Sequence, residues 1–124
     1  LNMFCAVVIS SAVFGLLHLD NPHATWVSTA GIFFAGVYQS YGYIRTRQLW
    51  LPIGLHVGWN FFEGVVFGFP VSGFDIYALT RIQVTGPVSW TGGAFGPEAG
   101  LILLPSLIVG SALIYWFTRN RKNT

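Results

Sequence analysis

Four long apolar segments dominate the sequence, at 1–19, 26–44, 49–69 and 99–117. Each is close to the roughly 20 residues that a helix needs to cross the hydrocarbon core of a bilayer. Charged residues make up only 8% of the chain, whereas soluble domains carry about 25%. The pattern predicts an all-α, polytopic transmembrane helix bundle with about four spans. We expect one transmembrane domain over 1–124 that forms the C-terminal part of a longer domain, because Leu1 already lies inside an apolar run.

The connections between these segments predict turns and one longer loop. Asx and Pro residues at 20–23 favour a turn after the first segment, and the basic stretch 45–47 separates the second from the third. Residues 70–98 are rich in Gly and Pro and are expected to form an ordered extramembrane loop. Within this loop, the alternation at 81–84 and 88–90 around Gly86-Pro87 predicts a small β-hairpin.

The basic residues indicate topology, not a nucleic-acid surface. Arg45, Arg47 and the tail 119–122 hold most of the six cations, and the positive-inside rule places them, with the C-terminus, in the cytoplasm. We therefore expect an integral protein of a bacterial plasma membrane that is surrounded by lipid and binds no nucleic acid. Cys5 is the single cysteine, which excludes an intrachain disulfide and a CxxC site.

Polar residues inside two of the apolar segments are the candidates for function. His56, Asn60 and Glu63 have the spacing i, i+4 and i+7, so a helix would align them on one face, and His18 ends the first segment. Ionisable groups at membrane depth are costly and usually face a protein interior or a wet cavity, so they indicate a functional site. Glu63 has two interpretations: a general base, or a glutamate nearer the outer face that is protonated or hydrogen-bonded.

Two motifs carry a resemblance to a known family. Phe14 and His18 form FxxxH, and His56 and Asn60 form HxxxN; the chain thereby resembles the CPBP group of CAAX-processing and bacteriocin-processing (Abi-type) membrane proteases. The resemblance implies an intramembrane endopeptidase that acts on peptides or membrane proteins, with peptide processing or bacteriocin self-immunity favoured by its bacterial-looking stretches. It also implies that His18 helps a glutamate to activate water, that His56 and Asn60 donate hydrogen bonds to the oxyanion, and that Phe14 supports the site.

The family's first motif, EExxxR, does not occur in this sequence. The four acids are single residues, Asp20, Glu63, Asp75 and Glu98, and none begins such a motif. The resemblance therefore implies either that the glutamate pair lies upstream of Leu1 or that the chain cannot hydrolyse peptides by the family route. Zinc or another divalent metal held by His18 and His56 is a further alternative, although two histidines alone make a poor site.

Other interpretations stay open beside the protease. The polar stripe could simply hold helices together in a non-catalytic scaffold, immunity or adaptor protein, or could relay protons in a carrier that uses Glu63. The oligomeric state is left open. His23 and the acids Asp20, Asp75 and Glu98, with Arg81, are expected in solvated loops. For His18 and His56 to share a cavity, the connection at 20–25 must dip into the membrane or the second segment must tilt.

Overall fold

Helices account for nearly all regular structure in the computed structural model, which describes residues 2–120. In chain order, the helices are α1 at Met3–Leu17, α2 at Trp26–Thr46, α3 at Trp50–Asn60, α4 at Val88–Thr91 and α5 at Leu103–Thr118. A π-helical turn at Phe61–Val66 continues α3, and two 3₁₀ turns at Gly93–Phe95 and Pro97–Ala99 precede α5. The all-α prediction is confirmed, with one α-helix of 11 to 21 residues in each apolar segment.

No helix within residues 2–120 is both long enough and apolar enough to cross a bilayer. The transmembrane part of the fold prediction is therefore not established by the helices themselves. Leu1 of the first predicted span, and Arg121 and Lys122 of the predicted basic tail, lie outside the described residues.

The central element is α2, which packs against α1, α3, α5 and the Pro97–Ala99 turn. It begins at a capping box in which the Thr25 hydroxyl accepts from Ser28 N–H and the Ser28 hydroxyl accepts from Thr25 N–H. This reciprocal pair satisfies backbone donors that the first helical turn leaves unpaired. The capping box therefore fixes where α2 starts after the turn that follows α1.

Glycine positions show where backbones approach closely. A Cβ at Gly31 of α2 would overlap the backbone carbonyl oxygen of Glu98, so only glycine lets the Pro97–Ala99 turn lie directly on α2. The sequence also suggests close helix contacts at Gly54 and Gly58, but a Cβ at either would meet nothing within 4 Å. For these two the expectation of close packing is wrong, because α3 turns that face toward a cavity.

The different surroundings of Gly31 and Gly54 can be tested with a matched pair of alanine substitutions. Gly31→Ala should lower the free energy of unfolding by about 1–3 kcal/mol, because an inserted methyl group must displace backbone in a packed region. Gly54→Ala should raise it by about 0.5–1 kcal/mol, because glycine in a helix interior is entropically unfavourable. Denaturant unfolding followed by circular dichroism in detergent measures both, and equal effects would contradict the packing described here.

The hairpin predicted within the loop at 70–98 is wrong. Residues 88–91 form the helical turn α4, and the only β-bridge in the described chain is the isolated pair Val71 and Phe74. The backbone ahead of the supposed strand bonds elsewhere: Leu79 N–H donates to Val65 O at 2.7 Å and the Thr80 hydroxyl to Val66 O at 2.6 Å. The loop therefore folds back onto the π-helical end of α3 instead of pairing with itself.

A second contact joins this loop to the α1–α2 connection. Asn21 Nδ2 donates to Ser72 O at 2.9 Å, and Gly73 N–H donates to Phe95 O at 2.7 Å. Gly73 has a φ of +88° and lies directly against the Pro22 carbonyl, where a side chain has no room. The two connections thus form one layer, across the end of the bundle where α1 stops.

Candidate active site

His18 lies at the C-terminal end of α1, and its imidazole is held by the preceding turn. At this end of the helix the His18 N–H donates to Gly15 O, three residues back, at 3.1 Å. It therefore does not donate to the Phe14 carbonyl, four residues back. The His18 Nδ1 lies 2.7 Å from Phe14 O. Because a carbonyl oxygen only accepts, Nδ1 carries the proton and Nε2 of the neutral ring keeps its lone pair. The FxxxH spacing therefore selects the tautomer of His18.

His56 lies in the middle of α3, and both of its ring nitrogens contact amide groups. Gln39 Nε2 of α2 lies 3.0 Å from Nδ1, and Asn60 Nδ2 lies 3.4 Å from Nε2. A neutral imidazole accepts at one nitrogen and donates from the other, and amide oxygen and nitrogen are interchangeable by a flip. One amide therefore donates to the ring while the other presents its oxygen. This arrangement holds the ring from two helices.

The two histidines meet at Phe14. The Phe14 ring contacts the His18 ring at 4.7 Å and the His56 ring at 5.8 Å between centroids, both edge-on. Both histidines line one cavity of about 760 Å³. The structure therefore brings Phe14, His18 and His56 together. Asn60 is not among the residues that line the cavity; it touches the His56 ring from the side.

The cavity wall is mainly apolar and aromatic, with a few polar groups. Its aromatic residues include Phe14, Tyr38, Trp59, Phe62 and Trp90. Its polar groups include the two histidines, Gln39, Glu63, Ser72 and Glu98. A largely apolar cavity with a few convergent polar groups is the usual form of a small-ligand or substrate site.

Glu98 is a member of this site, which corrects the expectation that it is solvated. It is only 5% exposed, and its Oε2 accepts from Ser72 N–H at 2.7 Å and from the Ser72 hydroxyl at 2.6 Å. It also interacts electrostatically with His18. Burial raises the pKa of Glu98, and the two hydrogen bonds from Ser72 oppose that effect without cancelling it. The other loop residues, Asp20, His23, Asp75 and Arg81, are exposed as expected.

This raised pKa gives a pH dependence of stability. The folded protein holds the Glu98 proton more tightly than the unfolded chain does, so the free energy of unfolding should fall as pH rises from the ordinary value of 4.5 toward the raised pKa. In Glu98→Gln the side chain stays neutral, and the fall should become shallower. Denaturant unfolding at a series of pH values measures the slope, with the exposed Asp75→Asn as control. An unchanged slope in Glu98→Gln would contradict the assignment.

Glu63 lies in the π-helical turn that follows Asn60, and it is buried with 6% exposure. Neither carboxyl oxygen has a partner within hydrogen-bonding geometry in the described chain, although Trp59 interacts with the carboxyl group; both interpretations of Glu63 stay predictions. Glu63 lines the cavity and interacts unfavourably with the charge of Glu98. Because π-helical turns occur often at functional sites, this turn is consistent with a specialised position for Glu63.

The site does not contain a complete set of ligands for zinc or another divalent metal. Within residues 2–120, no three His, Cys, Asp or Glu side chains are grouped so that they could hold a metal ion. Both nitrogens of His56 contact amides, and Nδ1 of His18 is bonded to the backbone. These residues do not fit a metal centre by themselves.

Sequence reasoning missed two residues of this site, Gln39 and Glu98. Gln39 is a polar residue inside the second apolar segment, which by itself indicates a possible role. Glu98 follows Gly96-Pro97 in one of the stretches that resemble the family. Both features are visible in the sequence, but neither predicts which residue is contacted, because the partners are distant in sequence. His56 is 17 residues from Gln39, and Ser72 is 26 residues from Glu98.

Comparison with known proteins gives a consistent picture. A family model described as "Type II CAAX prenyl endopeptidase Rce1-like" matches residues 1–62, which is half of the chain and includes both histidine motifs. The protein named "Putative membrane peptidase YdiL" from Bacillus subtilis (strain 168) is 32% identical over 83 residues. That alignment covers 67% of this chain and 32% of the relative, so the chain spans about a third of the relative's length. No solved structure gives a significant match.

Proposed function

Because the chain belongs to the Rce1-like family of type II CAAX prenyl endopeptidases, we propose that it forms part of an endopeptidase that hydrolyses peptide bonds within or beside a membrane. Family membership implies a membrane protein, and we place it in the bacterial plasma membrane with its C-terminus in the cytoplasm. Large apolar side chains exposed on the helices, such as Leu17, Trp26 and Ile108, suit a lipid environment.

The observation that carries this proposal is the meeting of His18 and His56 at one cavity. His18 Nε2 is free of hydrogen bonds in the described chain, while Nδ1 is fixed on Phe14 O. A fixed imidazole with an available lone pair can accept a proton from water near neutral pH. We assign His18 this role, in concert with a glutamate of the EExxxR motif that we expect upstream in the whole protein.

The role of His56 follows from its contact with Gln39. If the Gln39 amide donates to Nδ1, the proton of the neutral ring lies on Nε2. The contact from Nε2 to Asn60 is long, 3.4 Å, so this N–H can also bond to the oxygen that becomes negative when water attacks the carbonyl. A donor fixed in an apolar cavity stabilises that oxyanion more than water does. In this arrangement Asn60 presents its amide oxygen to the Nε2 proton and orients the ring; the donor role that the resemblance implies for Asn60 stays a prediction, because Asn60 does not line the cavity.

The direct test uses the full-length protein, purified in detergent and incubated with a labelled peptide library. We expect cleavage by the wild type and none above background by the double variant His18→Ala/His56→Ala. Mass spectrometry of the products identifies the cleaved bonds. A wild type that cleaves no peptide and no membrane-protein substrate would contradict the proposal.

One observation favours a second candidate, a non-catalytic scaffold. The contact from Gln39 to His56 connects α2 to α3, and such side-chain bonds stabilise helix packing by about 0.6 kcal/mol on average in membrane proteins. A scaffold would need these bonds for stability only. It predicts that His56→Ala lowers the melting temperature without changing any activity of the full-length protein.

A further inference from the structure

The proposed reaction leaves one buried group of the cavity without a role. Glu63 is 94% removed from solvent and lines the cavity, yet neither of its oxygens has a hydrogen-bond partner among the described residues. A buried carboxyl group in this state is unfavourable unless a partner arrives. The partner that suits a carboxylate best is a cation that also donates hydrogen bonds.

The charged groups around Glu63 also favour a cationic partner. Glu98 is a second buried acid of the same cavity, and the two carboxyl groups disfavour each other's charge. No Lys or Arg of the described chain lines the cavity, and the basic groups that do line it are His18 and His56. Glu98 accepts hydrogen bonds from Ser72 and interacts with Trp59 and His18. Among the described residues, the two acids therefore face neutral hydrogen-bond donors and two histidines in the cavity wall, but no lysine or arginine.

The shape and walls of the cavity suit a long side chain with a cationic end. Trp59 interacts with both acids, and the neighbouring aromatic rings of Tyr38 and Phe62 also line the space. Aromatic faces attract cations and pack against the methylene groups of lysine and arginine. At Gly54 and Gly58 the α3 wall carries no side chain, and a Cβ there would meet nothing within 4 Å.

We infer that Glu63, together with Glu98, determines substrate specificity by binding a lysine or arginine side chain of the peptide substrate in this cavity. The apolar walls hold the methylene chain, and the two carboxyl groups receive its charged end. This inference rests on the proposed function, because it specifies the peptides on which the endopeptidase acts. Both acids lie beyond residues 1–62, the part that the family model matches.

The test measures binding separately from cleavage, on the full-length protein in detergent. The probes are fluorescent peptides with uncharged ketomethylene groups in place of the peptide bonds, each with lysine or norleucine at one scanned position. Fluorescence anisotropy gives the Kd of each pair. At one position the lysine peptide should bind the wild type about tenfold or more tightly than its norleucine partner, as expected when a buried charge gains its partner.

Matched variants assign this preference to the carboxyl groups. Glu63→Gln keeps the size of the side chain and should remove most of the preference for lysine, whereas Glu63→Asp should retain part of it. Asp75→Asn, on the exposed loop, should keep the whole preference. Thermal unfolding of each variant verifies folding; if Glu63→Gln does not fold, Glu98→Gln serves in its place and should reduce the preference as well.

The outcomes separate the inference from the proposed function. Equal binding of lysine and norleucine peptides to the wild type, or an unchanged preference in the Gln variants, would overturn the inference even if the protein cleaves peptides. Preferential binding of lysine peptides that are never cleaved in their natural form would support the inference and overturn the proposed function. Preferential binding and cleavage of the same lysine peptides would support both.

Discussion

Alanine in place of His18 is expected to lower kcat for peptide cleavage by about 10²–10⁴-fold, the range that a positioned general base contributes. The reason is the fixed tautomer: Phe14 O holds the Nδ1 proton at 2.7 Å, so Nε2 is the atom that can take a proton from water. KM should change little, because the imidazole contributes less to the binding of the substrate than to the chemical step. Initial rates on the best peptide from the library measure both constants.

His23→Ala is the matched control for this experiment. His23 is exposed in the α1–α2 connection and does not line the cavity, so its removal changes the histidine count without touching the site. We expect wild-type rates from it. A His18→Ala protein that retains the wild-type kcat and melting temperature would exclude His18 as the base.

The helices were predictable because they depend on local sequence. Each of the four apolar segments contains one α-helix, and the start of α2 coincides with a local signal, the Thr25 capping box. The loop at 70–98 was not predictable in the same way. Its path is set by contacts with distant residues, such as Asn21 with Ser72 and Leu79 with Val65, and the alternation at 81–84 carries no information about them.

In the candidate site, too, the contacts within one helix were predictable and the contacts between distant segments were not. The pairs Phe14/His18 and His56/Asn60 are four residues apart on a helix, so their contacts follow from the helical repeat. The contact between Gln39 and His56 and the burial of Glu98 against Ser72 depend on how α2, α3 and the loop pack. An acid in a Gly/Pro-rich stretch is ordinarily solvated; only the tertiary fold, with the turn lying directly on Gly31, buries this one.

His56→Ala is expected to lower kcat by about 10²–10³-fold, the loss measured when one oxyanion donor is removed from a hydrolase. The variant loses the Nε2 donor and leaves Gln39 without its partner, so a fall in melting temperature should accompany the fall in rate. Rates and thermal unfolding of the full-length protein measure the two effects separately.

Gln39→Leu separates catalysis from scaffolding, because it breaks the α2–α3 contact while it retains the imidazole. If His56 acts on the substrate, Gln39→Leu should lower the melting temperature about as much as His56→Ala does but should retain considerably more activity, since a less well-held ring can still donate. If His56 serves only to join the helices, both variants should lower the melting temperature to a similar extent, and neither should change the activity of the folded protein. Equal changes in melting temperature and in activity for the two variants would therefore exclude the oxyanion role, because Gln39→Leu keeps the imidazole N–H and His56→Ala removes it.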